Sequence, residues 1–145
     1  MVCRTICIAA LFAAAAGSPA WAEIGRIKTA TGTATVGRGP ENLKAASGQE
    51  LLAGDWLETG ADGRISLTFV DNTRFAVAPN NRIGLQKFEY DSTTQKGSFI
   101  ASVERGSIAV VSGRITKSGR DGMQITTPDS VLGINGTRFI VTVSR

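Results

Sequence analysis

After about residue 23, the chain is a series of short runs in which apolar and polar residues alternate. In residues 64–70, for example, Ile65, Leu67 and Phe69 fall on one side of an extended segment, and Ser66 and Thr68 fall on the other. None of the runs has apolar residues at helical spacing. The pattern therefore predicts an all-β fold made of half-buried strands.

Eleven segments are predicted as strands, and glycine, asparagine, aspartate and proline separate them. The predicted strands are residues 25–29, 32–36, 55–58, 64–70, 74–78, 82–85, 88–90, 98–104, 107–111, 123–127 and 139–144. Residues 37–49 show little alternation and are predicted to form a surface loop. Many short strands at close spacing indicate a single domain that is a β-sandwich or a short β-roll.

The C-terminal segment combines a proline break, a turn and a strand. Thr127-Pro128 interrupts the pattern, and Asn135-Gly136 is a dipeptide suited to positive φ angles. We therefore expect a tight structural turn over residues 133–137. Because Gly136 is expected to need positive φ, its replacement by alanine is expected to destabilise the protein by about 1 kcal/mol or more.

In the strand that follows, odd-numbered and even-numbered residues face opposite sides. Phe139, Val141 and Val143 share one face, and Ile140 and Thr142 share the other. The sequence stops at Arg145 soon after this strand, so the strand is expected at or near a sheet edge. An edge strand can recruit an extended segment of another protein by strand addition. This predicts a monomer that uses Ile140 and Thr142 in partner binding.

Three motifs in consistent order resemble the FecR-type periplasmic domain. They are the Gly-Asp-Trp-Leu-Glu-Thr-Gly turn at residues 54–60, the hairpin at residues 69–75, and the Thr-Pro to Gly-Thr-Arg-Phe segment at residues 127–139. The resemblance extends over most of the chain from about Gly32, and Asn135 stands where the family usually has arginine. The matching positions, expected to be structural, are Gly54, Asp55, Thr59, Gly60, Asp71, Thr127, Pro128, Gly133, Gly136 and Thr137.

The resemblance implies a role in the cell envelope. In the signalling members of the family, a periplasmic FecR region follows a membrane helix and relays the state of an outer-membrane receptor to a cytoplasmic regulator of a sigma factor. This sequence contains no such regulator domain and no second hydrophobic segment. We therefore expect a non-enzymatic FecR-like module that binds an envelope protein, either for protein interaction or for accessory signalling.

The N-terminus has the features of a secretory signal peptide. Arg4 precedes an apolar run at residues 6–16, and Ala20-Trp21-Ala22 forms a small-residue cleavage site before Glu23. The apolar run is shorter than the roughly 20 residues that span a bilayer, so an uncleaved anchor is the less favoured alternative. Residues 1–22 are thus assigned to the signal peptide and residues 23–145 to the domain, which predicts a periplasmic or secreted protein without a transmembrane segment after cleavage.

The charged residues argue against a nucleic-acid partner. Without the signal peptide, 15 basic residues face 12 acidic ones, and the charges are dispersed. The largest basic concentration, Arg114, Lys117 and Arg120, lacks the interleaved aromatic residues of a nucleic-acid site. We interpret it as a solvated hairpin loop, with weak affinity for anionic envelope polymers left open.

Catalytic and metal-binding chemistry find little support in the sequence. There is no histidine, and both cysteines, Cys3 and Cys7, lie in the signal peptide. Paired carboxylates are the remaining catalytic option, which leaves a small hydrolase as a third hypothesis. The candidate pairs are Asp55 with Glu58, Asp62 with Asp71, and Glu89 with Asp91. We favour structural roles for them and predict no catalytic residue, no cofactor and no metal site.

A polysaccharide ligand is the main alternative to a protein partner. A sugar-binding surface needs exposed aromatic rings, and Trp56 and Tyr90 are the two candidates. Phe88 and Tyr90 share a strand face, but this spacing is more typical of a core. Trp56 follows the Gly54-Asp55 turn and is expected to be half-buried beside it. Binding of cell-wall or surface polysaccharide therefore remains the alternative hypothesis.

Overall fold

The structure is a computed structural model that describes residues 22–119 and 122–144. The signal peptide assigned to residues 1–22 lies outside this part except for Ala22. The described strands are β1 (Glu23–Thr31), β2 (Ala34–Arg38), β3 (Glu41–Lys44), β4 (Glu50–Leu52), β5 (Trp56–Thr59), β6 (Arg64–Phe69), β7 (Arg74–Val77), β8 (Arg82–Asp91), β9 (Lys96–Val111), β10 (Met123–Thr126), β11 (Val131–Gly133) and β12 (Arg138–Val143). A short 3₁₀ helix, Arg114–Ser118, follows β9.

The strands form one curled sheet in which neighbours follow the order β3-β2-β5-β8-β9-β7-β6-β1-β4. Strand β9 belongs to both halves of the curl. Its first part pairs with β8 and β10, and its last part, from Gly106 to Val111, lies between β7 and β12. All pairings are antiparallel except β9 with β10, which is parallel. The all-β prediction is therefore confirmed, as a sheet that folds over its own core.

Gly106 is the point at which β9 passes from one half of the sheet to the other. Its φ angle is 90°, a value that favours glycine over residues with a side chain. A Cβ at this position would also lie 2.1 Å from Oδ1 of the buried Asn81. Both restrictions make glycine necessary where β9 crosses the fold.

The core between the two halves is built on clustered phenylalanine rings. The ring of Phe69 lies 5.0 Å from that of Phe75, 5.6 Å from Phe88 and 4.8 Å from Phe99, measured between centroids. The alternation expected for residues 64–70 is confirmed, because the odd-numbered residues Ile65 and Leu67 are at most 2 % exposed. Removal of this apolar surface from water is the main driving force for folding.

Several segments differ from the sequence-based prediction of strands. The loop predicted for residues 37–49 is wrong in part, because β3 lies within it and pairs with β2. This strand did not show alternation because it is an edge strand, with three of its four residues exposed. The predicted strands at residues 82–85 and 88–90 are one strand with a bulge, and those at 98–104 and 107–111 are also one. Strands β4 and β11 were not predicted.

The turn predicted at Asn135-Gly136 is wrong in its backbone conformation. Neither residue has a positive φ angle, and a Cβ at Gly136 would have no atom within 4 Å. The reason is topological: β11 pairs with β10 and β12 pairs with β9, so residues 134–137 cross between the halves of the sheet and form no hairpin. The expected destabilisation by Gly136→Ala therefore has no structural basis.

The basic segment that contains Arg114 and Lys117 also differs from the prediction. We interpreted it as a hairpin loop, but a hairpin cannot join β9 and β10 because they are parallel. The segment contains the 3₁₀ helix, which is anchored by Ile115, a residue with no exposed surface. Arg114 and Lys117 are exposed, and Arg120 lies outside the described residues.

Candidate functional site

Asp55, in the first motif, is a buried structural carboxylate. It is 1 % exposed and accepts hydrogen bonds from the guanidinium of Arg38 at 3.0 and 2.8 Å. It also accepts the backbone N–H of Leu52 at 2.8 Å. These bonds connect β2, β4 and the start of β5, which is a structural role.

Thr59 and Asp71 connect turns to their surroundings. The hydroxyl of Thr59 donates to the carbonyl of Ala78 at 2.7 Å and accepts the N–H of Asn81 at 3.0 Å. Asp71 has no exposed surface, and its carboxylate accepts bonds from Thr73 and from the backbone N–H of Ile115. The contacts of Asp71 tie the β6–β7 hairpin to the 3₁₀ helix.

The other candidate carboxylates from the sequence each lie beside a cation, beside a backbone donor or in solvent. Glu58 lies 3.4 Å from Nη1 of Arg82. The backbone N–H of Thr33 donates to Asp62, and this bond lowers the pKa of Asp62 below its usual range. Glu89 and Asp91 are exposed. Within residues 22–119 and 122–144, no three acidic or cysteine side chains are grouped as a metal site would require.

The ring of Trp56 lies against Gly84 of the neighbouring strand β8. Three carbons of its six-membered ring would be 2.9 to 3.0 Å from a Cβ at Gly84, and this near equality places a face of the ring on Gly84. The guanidinium carbon of Arg82 is 4.8 Å from the ring centroid, which is a cation–π distance. The ring is half-buried, as expected, and Gly84 and Arg82 are its immediate neighbours.

Tyr90 is not placed next to Trp56 in a shared aromatic surface. It packs against the core at the end of β8, and its hydroxyl oxygen is buried. Phe88 is also a core residue, at 9 % exposure. The two aromatic candidates therefore lie on different parts of the sheet, and neither resembles the exposed row of rings that a polysaccharide chain would contact.

The third motif divides between a turn and the crossing segment. The backbone N–H of Ser130 donates to the hydroxyl of Thr127 at 3.0 Å, and this contact shapes the β10–β11 turn around the exposed Pro128. The carbonyl of Gly136 accepts the hydroxyl of Ser112 at 2.6 Å, and Gly133 ends β11. The motif therefore positions β12 against β9.

Strand β12 has one paired edge and one open edge. Its partner is β9, and no other described strand pairs with it. The prediction of an edge position is confirmed. On its faces, Val141 is 7 % exposed and Ile140 is 73 % exposed, which also confirms the predicted alternation.

Backbone hydrogen bonds identify which residues of β12 present their polar groups at the open edge. The N–H of Ser112 donates to the carbonyl of Thr137 at 2.8 Å, in register with the pairing of β9 and β12. Because bonded positions alternate along an antiparallel ladder, Phe139 and Val141 direct their N–H and C=O groups toward β9. Ile140 and Thr142 therefore direct theirs away from it.

The other side of β9 independently supports this assignment. The N–H of Ala78 donates to the carbonyl of Ser107 at 3.2 Å, which places the odd-numbered residues of β9 toward β7. The even-numbered residues, such as Ile108 and Val110, then face β12. The hydrogen bond from Ser112 to Thr137 also requires the even-numbered residues of β9 to face β12, so the two observations agree.

Ile140 continues a row of small side chains across the outer face of the sheet. Successive cross-strand pairs join Thr29 to Ser66, Ser66 to Ala76, Ala76 to Ala109, and Ala109 to Ile140. The row forms the floor of a shallow groove of about 420 Å³. An exposed apolar side chain at the open edge can therefore contact a partner strand and its neighbouring side chains at the same time.

Sequence reasoning did not identify the small residues of this row or the partner of Asp55. Ala76 and Ala109 are outward residues of predicted strands, but the register that makes them neighbours is not encoded in local alternation. Arg38 lies at the end of β2, where residues 37–49 were predicted to be a loop. The available signal was Asp55 in its turn, because a carboxylate that becomes buried there needs a cation or hydrogen-bond donors close by.

Comparison with known proteins gives one match. The family model described as "FecR protein" matches residues 55–145, which include the second and third motifs, the first motif except Gly54, and both open-edge residues. Searches of curated proteins and of solved structures found no significant match. The FecR family is a regulatory, signalling-related and envelope-associated family that is not known for enzymes. None of the helical segments among the described residues is long and apolar enough to cross a membrane. With the matched region covering more than half of the chain, the protein belongs to the FecR family.

Proposed function

We propose that this protein is a non-enzymatic module of the periplasm or of the exported fraction that binds another envelope protein and serves envelope signalling. Its FecR domain supports the regulatory role. The observation that carries the binding mode is the open edge of β12. Ile140 is 73 % exposed there, and its backbone N–H and C=O groups point away from β9. An unpaired edge with an exposed apolar residue is the surface that strand addition uses.

The partner's extended segment continues the sheet beyond β12. Its backbone groups pair with those of Ile140 and Thr142, and an apolar side chain packs beside Ile140 on the outer face. The inner face of the segment lies next to Phe139 and Val143, which are both half-buried and in contact with the core. Apolar residues at these inner positions extend the core by one strand.

The test removes a single N–H group from the open edge. In Thr142→Pro, the proline ring removes the backbone N–H of residue 142, which points away from β9. The hydrogen bonds between β12 and β9 are therefore all kept. The matched control is Thr142→Val, which also loses the 2.9 Å contact between the hydroxyls of Ser107 and Thr142 but keeps the N–H. Both variants and the wild-type protein are used as bait in envelope extract, and recovered proteins are identified by mass spectrometry.

We expect the same specific protein to be recovered by wild type and Thr142→Val and to be lost with Thr142→Pro. Equal recovery by all three would rule out strand addition at β12. A second proline variant, Val141→Pro, tests which edge of β12 is paired, because the N–H of Val141 points toward Ile108 of β9. It should unfold the domain, whereas Thr142→Pro should leave the circular dichroism spectrum unchanged.

The proposed location has its own test. Cleavage after Ala22 gives an envelope protein whose N-terminal peptide begins at Glu23, which mass spectrometry detects directly. An intact chain beginning at Met1 in the membrane fraction would contradict export by this signal. Polysaccharide binding is the alternative hypothesis from the sequence. The geometry of Trp56 and Tyr90 does not favour it.

A further inference from the structure

A cationic pocket lies where β12 begins. It has a volume of about 660 Å³ and is lined by Asn72, Arg74, Arg114, Lys117 and Thr137, among others. Thr137 is the residue that immediately precedes β12. Most of the other lining residues lie at the start of β7, at the end of β9 and in the segment after β9, so the pocket lies beside the start of β12, on the side of β9.

The topology of the sheet concentrates cations around this pocket. Arg74 on β7 and Arg138 on β12 are both opposite Val111 of β9, on the outer face of the sheet. Two strand spacings separate them, which is about 10 Å. The 3₁₀ helix after β9 adds Arg114 and Lys117. We call these four residues the cationic cluster.

The positive charge of the cationic cluster is not neutralised within the described part of the chain. None of its four side chains forms an ion pair with a described carboxylate, although several other arginines do. The nearby Asp71 is buried and its oxygens are occupied by Thr73 and Ile115. Among the described arginines, those with a carboxylate within 4 Å are Arg26, Arg38, Arg82 and Arg105.

We propose that the segment added at β12 is acidic at the end that passes Arg138 and enters the cationic pocket. This inference rests on the proposed strand addition and specifies the chemistry of the partner. Along the open edge, a residue beside Ile140 is apolar, and the next outward residue lies beside Arg138 and is aspartate or glutamate. Further acidic residues beyond this position turn toward the end of β9 and reach Arg114 and Lys117 in the pocket.

Continuity with the open edge favours an acidic peptide over a compact anion. Moving from Thr142 to Ile140 to Arg138 along β12 leads to Thr137 at the rim of the pocket, and a segment that turns toward β9 at this point enters the pocket. A peptide on this path gains ladder hydrogen bonds and apolar contacts before its carboxylates reach the cations. A free phosphate would use the charge alone. Oppositely charged cross-strand neighbours also fix the register of the added segment.

The experiment selects binders from a display library of random nine-residue peptides. The baits are the full processed protein, its Thr142→Pro variant, and a charge-reversed variant with Arg114→Glu and Arg138→Glu. The control variant Lys44→Glu changes a cation of β3, which is at one end of the strand order and four strands away from β9, the partner of β12. Selected peptides are then synthesised, and their dissociation constants are measured by fluorescence anisotropy at about 0.05 M and about 0.5 M salt.

We expect binders of the wild-type protein to carry aspartate or glutamate at one end and apolar residues in the middle. Replacing the acidic residues by their amides should weaken binding by about tenfold at low salt and by less at high salt. The charge-reversed variant should select lysine or arginine at the same end, whereas Lys44→Glu should select acidic peptides.

The outcomes separate this inference from the proposed function. Binders that require the N–H of Thr142 but lack an acidic end would overturn the acidic partner and retain strand addition. Binders that Thr142→Pro still retains, or a lack of any binders, would overturn both. Displacement of the acidic peptides by inorganic phosphate at about its cellular millimolar level, with phosphate itself bound, would instead identify a site for compact anions and overturn the inference.

Discussion

Replacement of Asp71 by alanine tests whether a family motif residue is structural. The carboxylate has no exposed surface, and it accepts the N–H of Thr73 at 3.0 Å, the hydroxyl of Thr73 at 2.7 Å and the N–H of Ile115 at 3.1 Å. Alanine leaves two buried N–H groups without an acceptor. Each such group costs about 1–3 kcal/mol, so we expect Asp71→Ala to lower the free energy of unfolding by about 4 kcal/mol.

The conservative substitution Asp71→Asn should have a smaller effect. Its amide oxygen still accepts one N–H, but its NH₂ group faces donors where the second carboxylate oxygen was. We expect a loss of about 2 kcal/mol. A domain with a total stability of about 5–15 kcal/mol would tolerate this change, whereas the alanine variant would lie close to its limit.

Asp91 provides a matched control for the same chemical change. Its carboxylate accepts the N–H of Thr93, two residues ahead, at 2.8 Å, which is the same local contact that Asp71 makes with Thr73. Asp91 is exposed, so water replaces the lost acceptor and Asp91→Ala should cost less than about 1 kcal/mol.

Urea unfolding of the processed chain, followed by the fluorescence of Trp56, measures these differences as shifts of the midpoint at constant slope. A loss below about 1 kcal/mol for Asp71→Ala, equal to that of Asp91→Ala, would refute the burial argument. A large loss with a changed slope would indicate an altered unfolded state, which the circular dichroism of both variants checks.

Three further predictions concern glycine, charge and pH. Gly106→Ala should lose about 2–4 kcal/mol because its φ angle is 90° and a Cβ would clash, whereas Gly136→Ala, with open space around it, should change stability by less than about 0.5 kcal/mol; thermal unfolding distinguishes them, and equal melting temperatures would contradict the assignment. Arg38→Met should lose about 1–3 kcal/mol in urea because it leaves the buried Asp55 without its cation, and an unchanged midpoint would show that the pair contributes nothing. The pKa of Asp62 is lowered in the folded protein by the N–H of Thr33, so its contribution is present above the ordinary aspartate pKa of about 3.9 and disappears as the pH falls through the lower folded value; the difference in melting temperature between wild type and Asp62→Asn should therefore shrink on acidification from pH of about 6 to about 3, and a constant difference would exclude this source.

Local sequence determined the strand content and the inward faces of most strands. The alternation in residues 64–70 predicted the burial of Ile65 and Leu67, and the alternation after Arg138 predicted the exposure of Ile140. These features follow from the two-residue period of an extended chain, which any strand obeys whatever its neighbours are. The same reasoning correctly placed the β6–β7 turn, where Asn72 has a φ angle of 72°.

Only the tertiary structure decided which strands are neighbours, and the errors have this common source. Asn135-Gly136 has the composition of a hairpin turn, but β11 and β12 pair with different strands, so the dipeptide adopts no left-handed conformation. Arg74 and Arg138 are 64 positions apart in sequence, and the register of β9 places both opposite Val111. Pairing between distant strands depends on the whole core and on long-range hydrogen bonds, which a local pattern does not contain. The chain's alternation thus determined that β12 has an apolar outer residue, while the packing of the complete sheet decided that this residue lies on an open edge beside a cluster of cations.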